Sequence, residues 1–100
     1  MTLNEILLNI LAMREDLLMF ERKYGVPTEI FFEAYTRGEE PSEQAWVLDW
    51  AQWAGTYKIL CELLEEYHKQ VHKVFASTTI TNFSDLIKQT ARHEPIAIPG

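Results

Sequence analysis

Apolar residues recur at alternating steps of three and four through the first quarter of the chain, which is the seam of a helix packed in a bundle or coiled coil. The seam consists of Leu3, Ile6, Ile10, Met13, Leu17, Phe20 and Tyr24. Three more leucines widen the stripe and favour packing against two or more neighbours: Leu7, Leu11 and Leu18. Thr2 and Glu5 have capping-box spacing, so this helix is predicted to begin at Thr2.

Glycine and proline predict where the first helix ends. Gly25 can adopt the left-handed conformation of a helix C-cap, and Pro27 cannot continue the helix. Thr28 is then the predicted N-cap of a second, short helix, which Gly38 ends. The apolar residues of this short helix are Ile30, Phe31, Ala34 and Tyr35.

A second seam predicts a third and longest helix over residues 43 to 75, with Ser42 as its N-cap. Its apolar positions are Trp46, Trp50, Trp53, Tyr57, Leu60, Leu64, Tyr67, Val71 and Val74. Gly55 interrupts this helix at an outward-facing position, at a cost of about 1 kcal/mol relative to alanine. We therefore expect a close approach of another helix at Gly55, or a slight kink.

The hydrophobic pattern changes after Phe75. β-branched and polar residues from 76 to 82 predict an extended or loop segment, and Ser84 is the predicted N-cap of a short helix. Residues 94–100 contain two prolines and are not expected to be helical.

The predicted fold is all-α and has two parts. A helical hairpin or bundle of two long helices and one short helix occupies residues 1–76, and an irregular C-terminal tail with a short helix occupies residues 77–100. At about 1.5 Å per residue, the first helix is roughly 33 Å long and the third roughly 50 Å. The excess apolar length needs cover from the short helix, the tail or another chain, so we expect a homo-oligomer, such as a dimer, or a heteromeric complex.

Composition narrows the class of protein. The 100 residues are 47% hydrophobic, enough for one domain with a modest core, and carry a net charge of −6, which repels nucleic acid. Cys61 is the only cysteine, so no intrachain disulfide is possible and a reducing compartment is expected. The first residues lack a basic secretory segment, and no apolar run approaches the roughly 20 residues of a membrane span. We expect a cytoplasmic protein that binds neither nucleic acid nor membrane.

The acidic residues are concentrated in the middle of the chain, where Arg37 alone opposes them. They are Glu29, Glu33, Glu39, Glu40, Glu43 and Asp49. One interpretation is a solvated face that keeps a small protein soluble, and the other is a surface that meets a basic partner.

Trp46, Trp50 and Trp53, followed by Tyr57, are concentrated on little more than two turns of the third helix. They belong to the core, or to a core that a second chain completes as an interface. The predicted partner-binding residues combine both features: Glu39, Glu40, Glu43, Trp46, Asp49, Trp50, Trp53 and Tyr57.

Little in the sequence indicates catalysis. Glu65, His68 and His72 can lie close together on a helix and are weak candidates for a metal site, but a solvated histidine pair is the favoured interpretation. Cys61 is predicted to be a buried, inert thiol rather than a nucleophile. Since the sequence has no Gly-rich phosphate loop, cysteine pair or serine elbow, we predict no enzyme activity and no cofactor.

Residues 17 to 65 resemble a known group of proteins. The similarity consists of Phe-Glu-Arg-Lys-Tyr-Gly-Val-Pro-Thr at residues 20–28, then Phe31 or Phe32, Gly38-Glu39, and Trp50 through Tyr57. These features resemble small acidic bacterial and archaeal proteins with a Phe-Glu-x-Lys-Tyr-Gly-Met-Ser-like core and a tryptophan-bearing final helix. The resemblance implies an antitoxin-like partner in a toxin and antitoxin gene pair.

The chain departs from that group at several places. Val26 and Pro27 stand where the group has methionine and serine, the first helix is longer, and a tail is added beyond residue 75. The leading hypothesis is an antitoxin-like or regulatory module that covers a basic surface of a protein partner, such as the product of an adjacent gene. The alternatives are a structural homo-oligomer without catalytic activity and a metal-binding bundle.

Overall fold

The computed structural model describes residues 1–77 and 80–92 of the chain, and within this range it is composed of helices without strands. The predicted all-α class is confirmed. The α-helices are α1 (Leu3–Tyr24), α2 (Thr28–Thr36), α3 (Val47–Ser77) and α4 (Phe83–Thr90), and a 3₁₀ turn, Gln44–Trp46, leads into α3. No helix in this part of the chain has the length and apolar character that a membrane crossing requires. The prediction for residues 94–100 lies outside the described residues.

Both ends of α1 are confirmed. The Glu5 N–H donates to Thr2 Oγ1 at 3.1 Å, and the Thr2 hydroxyl donates to the Glu5 carboxylate at 3.3 Å, so the threonine satisfies an amide of the first turn. At the other end Gly25 has φ 74°, and its N–H donates to the Glu21 carbonyl at 2.7 Å. This left-handed glycine turns the chain out of α1.

The end of α2 is also as predicted. Gly38 has φ 92°, and its N–H donates to the Tyr35 carbonyl at 3.1 Å. The Glu39 N–H donates to the Ala34 carbonyl at 3.2 Å. These two bonds are those of a Schellman motif, which satisfies carbonyls of the last helical turn.

The prediction that Thr28 caps α2 is wrong. Pro27 occupies the N-cap position without a side-chain bond, and Thr28 is the first helical residue. The Thr28 side chain is fully buried and bonds to other helices instead. A threonine beside a proline therefore has two possible roles at a helix start, and tertiary contacts decide between them.

Two further caps differ from prediction. Ser42 does not cap α3, because the 3₁₀ turn begins after Glu43, which makes no side-chain cap bond. Ser84 lies inside α4, and its predicted role belongs to Asn82, whose Oδ1 accepts from the Asp85 N–H at 2.9 Å. Asparagine is at least as good an N-cap as serine.

The described residues divide into two compact units. The central unit is Leu11–Cys61, and the terminal unit is Met1–Ile10 together with Glu62 and the described residues that follow it. Each unit is a group of residues in mutual contact, and such a grouping does not test a domain boundary. The domain division predicted at residue 76 therefore stays a prediction.

In the central unit, three of the seven buried residues are aromatic. Its buried residues are Leu17, Phe20, Thr28, Phe31, Trp53, Ala54 and Leu60. The predicted seam of α1 is buried or partly buried in this unit, but Leu11 and Leu18, which widen it, are 42% and 43% exposed. The close helix approach expected at Gly55 is absent, since a Cβ built there meets no atom within 4 Å among the described residues.

The terminal unit has its own core, to which residues beyond α3 contribute. Leu3, Val74, Ile80 and Leu86 form one buried cluster, and each is at most 5% exposed. Ile80 and Leu86, which follow α3 in the chain, thus pack on apolar residues near the end of that helix. The unequal lengths of the two long helices predicted that a second chain covers the excess apolar residues of α3. At Val74 this chain itself supplies the cover, whereas Leu64 stays 40% exposed.

Candidate protein-binding groove

Trp53 lies at the centre of the aromatic cluster in the central unit. The Phe31 ring stacks parallel to it with the ring centroids 3.8 Å apart, and Phe20 and Tyr24 stack on it at 5.7 and 5.5 Å. Trp53 is only 1% exposed. Although it is a predicted partner-binding residue, its side chain belongs to the core and leaves almost no surface exposed to a partner.

Trp46 and Trp50 are half-buried and form the outer part of the cluster. Their rings stack with the centroids 6.2 Å apart. Tyr24 packs edge-on against Trp46 at 5.9 Å, and Phe31 packs edge-on against Trp50 at 5.4 Å. These two tryptophans combine core packing with a partly open apolar surface.

A chain of hydrogen bonds fixes the α1–α2 corner against α3. Glu21 Oε2 accepts from both the backbone N–H and the hydroxyl of Thr28, at 2.8 and 3.0 Å. Thr28 Oγ1 accepts in turn from Trp53 Nε1 at 2.9 Å. The sequence offers one signal for this arrangement, since a buried tryptophan needs an acceptor for its N–H, but it does not identify the acceptor.

Asp49 binds α1 rather than facing outward. Its Oδ2 accepts from Lys23 Nζ and from the Tyr24 hydroxyl, each at 2.6 Å. The hydrogen bond from Lys23 and, to a smaller extent, the one from Tyr24 lower the pKa of the Asp49 carboxyl. Burial, reinforced by Asp49, raises the pKa of Tyr24 to about 12. The charge of this predicted partner-binding residue is therefore engaged within the chain.

An apolar groove of about 290 Å³ opens beside the two outer tryptophans. Its lining residues are Tyr24, Val26, Ile30, Phe31, Ala34, Glu39, Trp46, Trp50 and Trp53. Val26 and Ile30 are 37% and 59% exposed, so part of the apolar lining is in contact with water. Glu39 is the one lining residue with a carboxylate.

The structure brings some of the predicted acidic residues to this groove. Glu39 lines it, and Glu40 and Glu43 follow on the exposed connection to α3. Among the described residues, none of these three carboxylates has an ion-pair partner, whereas Glu33 lies 3.9 Å from Arg37. The three carboxylates are exposed to solvent, and Glu39 places one of them at the apolar groove.

Tyr57 lies outside the groove. Its ring packs edge-on against Phe32 with the centroids 4.8 Å apart. Burial raises the pKa of Tyr57, and the neighbouring Cys61 adds to the effect. Cys61 itself is exposed, so the prediction of a buried thiol is wrong. Its neighbour Leu60 is buried instead, because adjacent residues of a helix point about 100° apart around the helix axis.

The weak metal candidates are brought together only in part. His68 and His72 are both exposed, and a hydrogen bond of 3.1 Å joins their Nε2 atoms. Glu65 is also exposed, but no group of three potential ligands among the described residues is close enough to hold a metal ion. The histidines are thus a pair without a third protein ligand.

Comparison of the chain with protein-family models, with curated proteins and with solved structures found no match. The relationship to antitoxin-like proteins therefore stays a prediction.

Proposed function

We propose that this chain is a protein-binding module whose groove receives an apolar segment of a basic protein partner. The observation that carries the proposal is the groove itself, in which partly exposed apolar residues lie next to the unpaired carboxylate of Glu39. Aromatic side chains beside a pocket are typical of residues that dominate binding energy at interfaces. An acidic border adds selectivity for a partner with the opposite charge.

The size of the groove favours side-chain anchors as its occupant. A volume of about 290 Å³ is at the lower end of the range of small-molecule sites, roughly 300–1,000 Å³. One or two large apolar side chains of a helix or extended segment suit such a space. Lysines or arginines beside these anchors would then face Glu39, Glu40 and Glu43.

The partner we propose is a basic protein encoded next to this chain, which gives the module an antitoxin-like or regulatory role. The net charge of −6 supports a protein partner over nucleic acid. We also propose a reducing, cytoplasmic location, supported by the exposed free thiol of Cys61. The role is binding, and it includes no catalytic step.

Co-expression of the chain with the adjacent gene product, followed by pull-down and calorimetry, tests the proposal. Ile30→Glu places a charge in the groove and is expected to weaken the complex at least about tenfold. Met19→Glu is the matched control, because Met19 is 58% exposed against 59% for Ile30 and does not line the groove. Failure to form a complex, or equal loss from both substitutions, would refute the proposal.

Charge reversal tests the acidic border separately. Glu39→Lys combined with Glu43→Lys is expected to slow association and to reduce the salt dependence of binding. Glu15→Lys on α1, also exposed, is the control for net charge, although it changes the charge by half as much. Equal effects per unit charge at the two places would mean that only the overall charge matters.

A second candidate is a structural homo-oligomer. It is favoured by Leu11, Leu18 and Met19, apolar residues of α1 that are 42%, 43% and 58% exposed. Sedimentation of the isolated chain tests this candidate. Met19→Glu is now the test variant, and Ile30→Glu is the control. Self-association abolished by Met19→Glu and retained by Ile30→Glu would support this candidate, whereas a monomer at all concentrations would exclude it.

A further inference from the structure

His68 and His72 lie one turn apart on α3, in the terminal unit. Residues four apart share a face of a helix. Their Nε2 atoms are joined by a hydrogen bond of 3.1 Å, and their ring planes are inclined at 74°. A metal ion that binds both nitrogens takes the place of the proton in this bond. Both side chains are exposed, so an ion in solution can reach both nitrogens.

The spacing of these nitrogens matches that of two ligands on one metal ion. Imidazole nitrogens bind metals such as zinc at about 2.0–2.1 Å. Two such bonds at an angle between about 90° and 109° place the nitrogens roughly 2.9–3.4 Å apart. The observed 3.1 Å lies within this range and corresponds to an angle of roughly 100°.

We propose that His68 and His72 form a two-histidine site for a divalent transition-metal ion, with Cu²⁺ bound most tightly. Imidazole pairs suit copper, nickel and zinc, and the Irving–Williams order places copper first. Mg²⁺ and Ca²⁺ prefer oxygen ligands and are not expected to bind. Since the described residues supply no third ligand, water completes the coordination and leaves open positions.

The charges around the pair are compatible with an ion. Lys69 and Lys73 each follow a histidine by one residue and so point about 100° away around the helix. Glu65 lies about one turn before His68 and contributes negative charge without coordinating the ion. This site lies on residues that the proposed groove does not use, so the two proposals stand or fall separately.

Titration of the full chain with Cu²⁺, Ni²⁺, Zn²⁺ and Mg²⁺ tests the site, read by calorimetry and, for copper, by electron paramagnetic resonance. His68→Ala and His72→Ala are each expected to lower copper affinity at least about tenfold, because a single ligand loses the chelate advantage. They are also expected to weaken the signature of nitrogen coordination. Circular dichroism checks that both variants keep their helical content.

His93→Ala removes the remaining histidine, which lies outside the described residues, and is the matched control. It is expected to leave copper affinity unchanged. Equal affinity in the wild type and the His68→Ala/His72→Ala double variant would overturn the proposal. A loss caused by His93→Ala as large as that of either helix variant would also overturn a site made of this pair.

Discussion

Trp50 and Trp53 lie one turn apart on α3, but their indole N–H groups have different surroundings. The N–H of Trp53 donates to Thr28 Oγ1 at 2.9 Å. The N–H of Trp50 is buried and has no hydrogen-bond partner among the described residues. A buried donor without a partner costs about 1–3 kcal/mol, so the same substitution has different consequences at the two positions.

We predict that Trp53→Phe destabilises the chain by at least about 1 kcal/mol more than Trp50→Phe does. Phenylalanine at position 53 loses a satisfied hydrogen bond, whereas at position 50 it removes an unsatisfied donor. Urea denaturation followed by circular dichroism measures both free energies of unfolding. Equal costs, or a larger cost at position 50, would show that the two N–H groups do not differ in this way.

The second residue-scale prediction concerns Tyr24 at high pH. Burial and Asp49 raise its pKa from 10.0 to about 12, so the folded state holds the phenol proton more tightly than the unfolded state. The resulting stability is fully present below pH 10 and is lost as pH rises towards about 12. Tyr24→Phe should therefore reduce the loss of stability between pH 9 and pH 11.

Urea denaturation at the two pH values measures this loss. Tyr35→Phe serves as the control, because Tyr35 is more exposed than the other tyrosines. Alkaline destabilisation of the same size in wild type and Tyr24→Phe would contradict the assignment.

The segment 20–28, on which the predicted relationship to antitoxin-like proteins rests, has a structural role at most of its positions. Phe20 stacks on Trp53, Glu21 accepts from Thr28, Tyr24 donates to Asp49, and Gly25 has φ 74°. The pattern therefore specifies how α1 turns into α2 and packs on α3. It accounts for one corner of this fold and does not identify a partner.

At the scale of elements, the two glycines at the end and in the middle of helices have opposite requirements. Gly25 has φ 74°, which L residues with a Cβ adopt only with strain. Gly55 lies within α3, and a Cβ at either position meets no described atom within 4 Å. At both positions, the change in stability on adding a methyl group is thus expected to depend on the backbone conformation and not on a steric clash.

We predict that Gly25→Ala destabilises the chain by roughly 1–2 kcal/mol, and that Gly55→Ala stabilises it by up to about 1 kcal/mol. Thermal and urea unfolding of the two variants, measured side by side, give the signs. Destabilisation by Gly55→Ala would show that the glycine is needed there, as the expected close helix approach had implied.

Helix ends show how far local patterns carry. Thr2, Gly25 and Gly38 have the predicted roles because capping boxes and left-handed glycines depend on a few neighbouring residues. Thr28 and Ser42 do not have their predicted roles. Thr28 is buried in the core, and a 3₁₀ turn that begins after Glu43 precedes α3. The seams predicted both long helices, but the groove required knowledge of which helices meet.

At the scale of the whole molecule, two residues that follow α3, Ile80 and Leu86, are part of a core. β-branched and polar composition predicted a loop there, and a loop gives no indication of what it covers. In the terminal unit Ile80 and Leu86 are 2% and 5% exposed, and they share a buried cluster with Leu3 and Val74. Contacts between residues so distant in sequence leave no periodic pattern, so one sequence cannot reveal them.

We predict that Leu86→Ala destabilises the chain by about 2–5 kcal/mol, because it opens a cavity in that cluster. Ile87→Ala, the next residue of α4, is 45% exposed and should cost less than about 1 kcal/mol. Urea denaturation of both variants measures the difference. If the two costs were equal, α4 would not be packed through Leu86, and the apolar end of α3 would again require cover from a second chain.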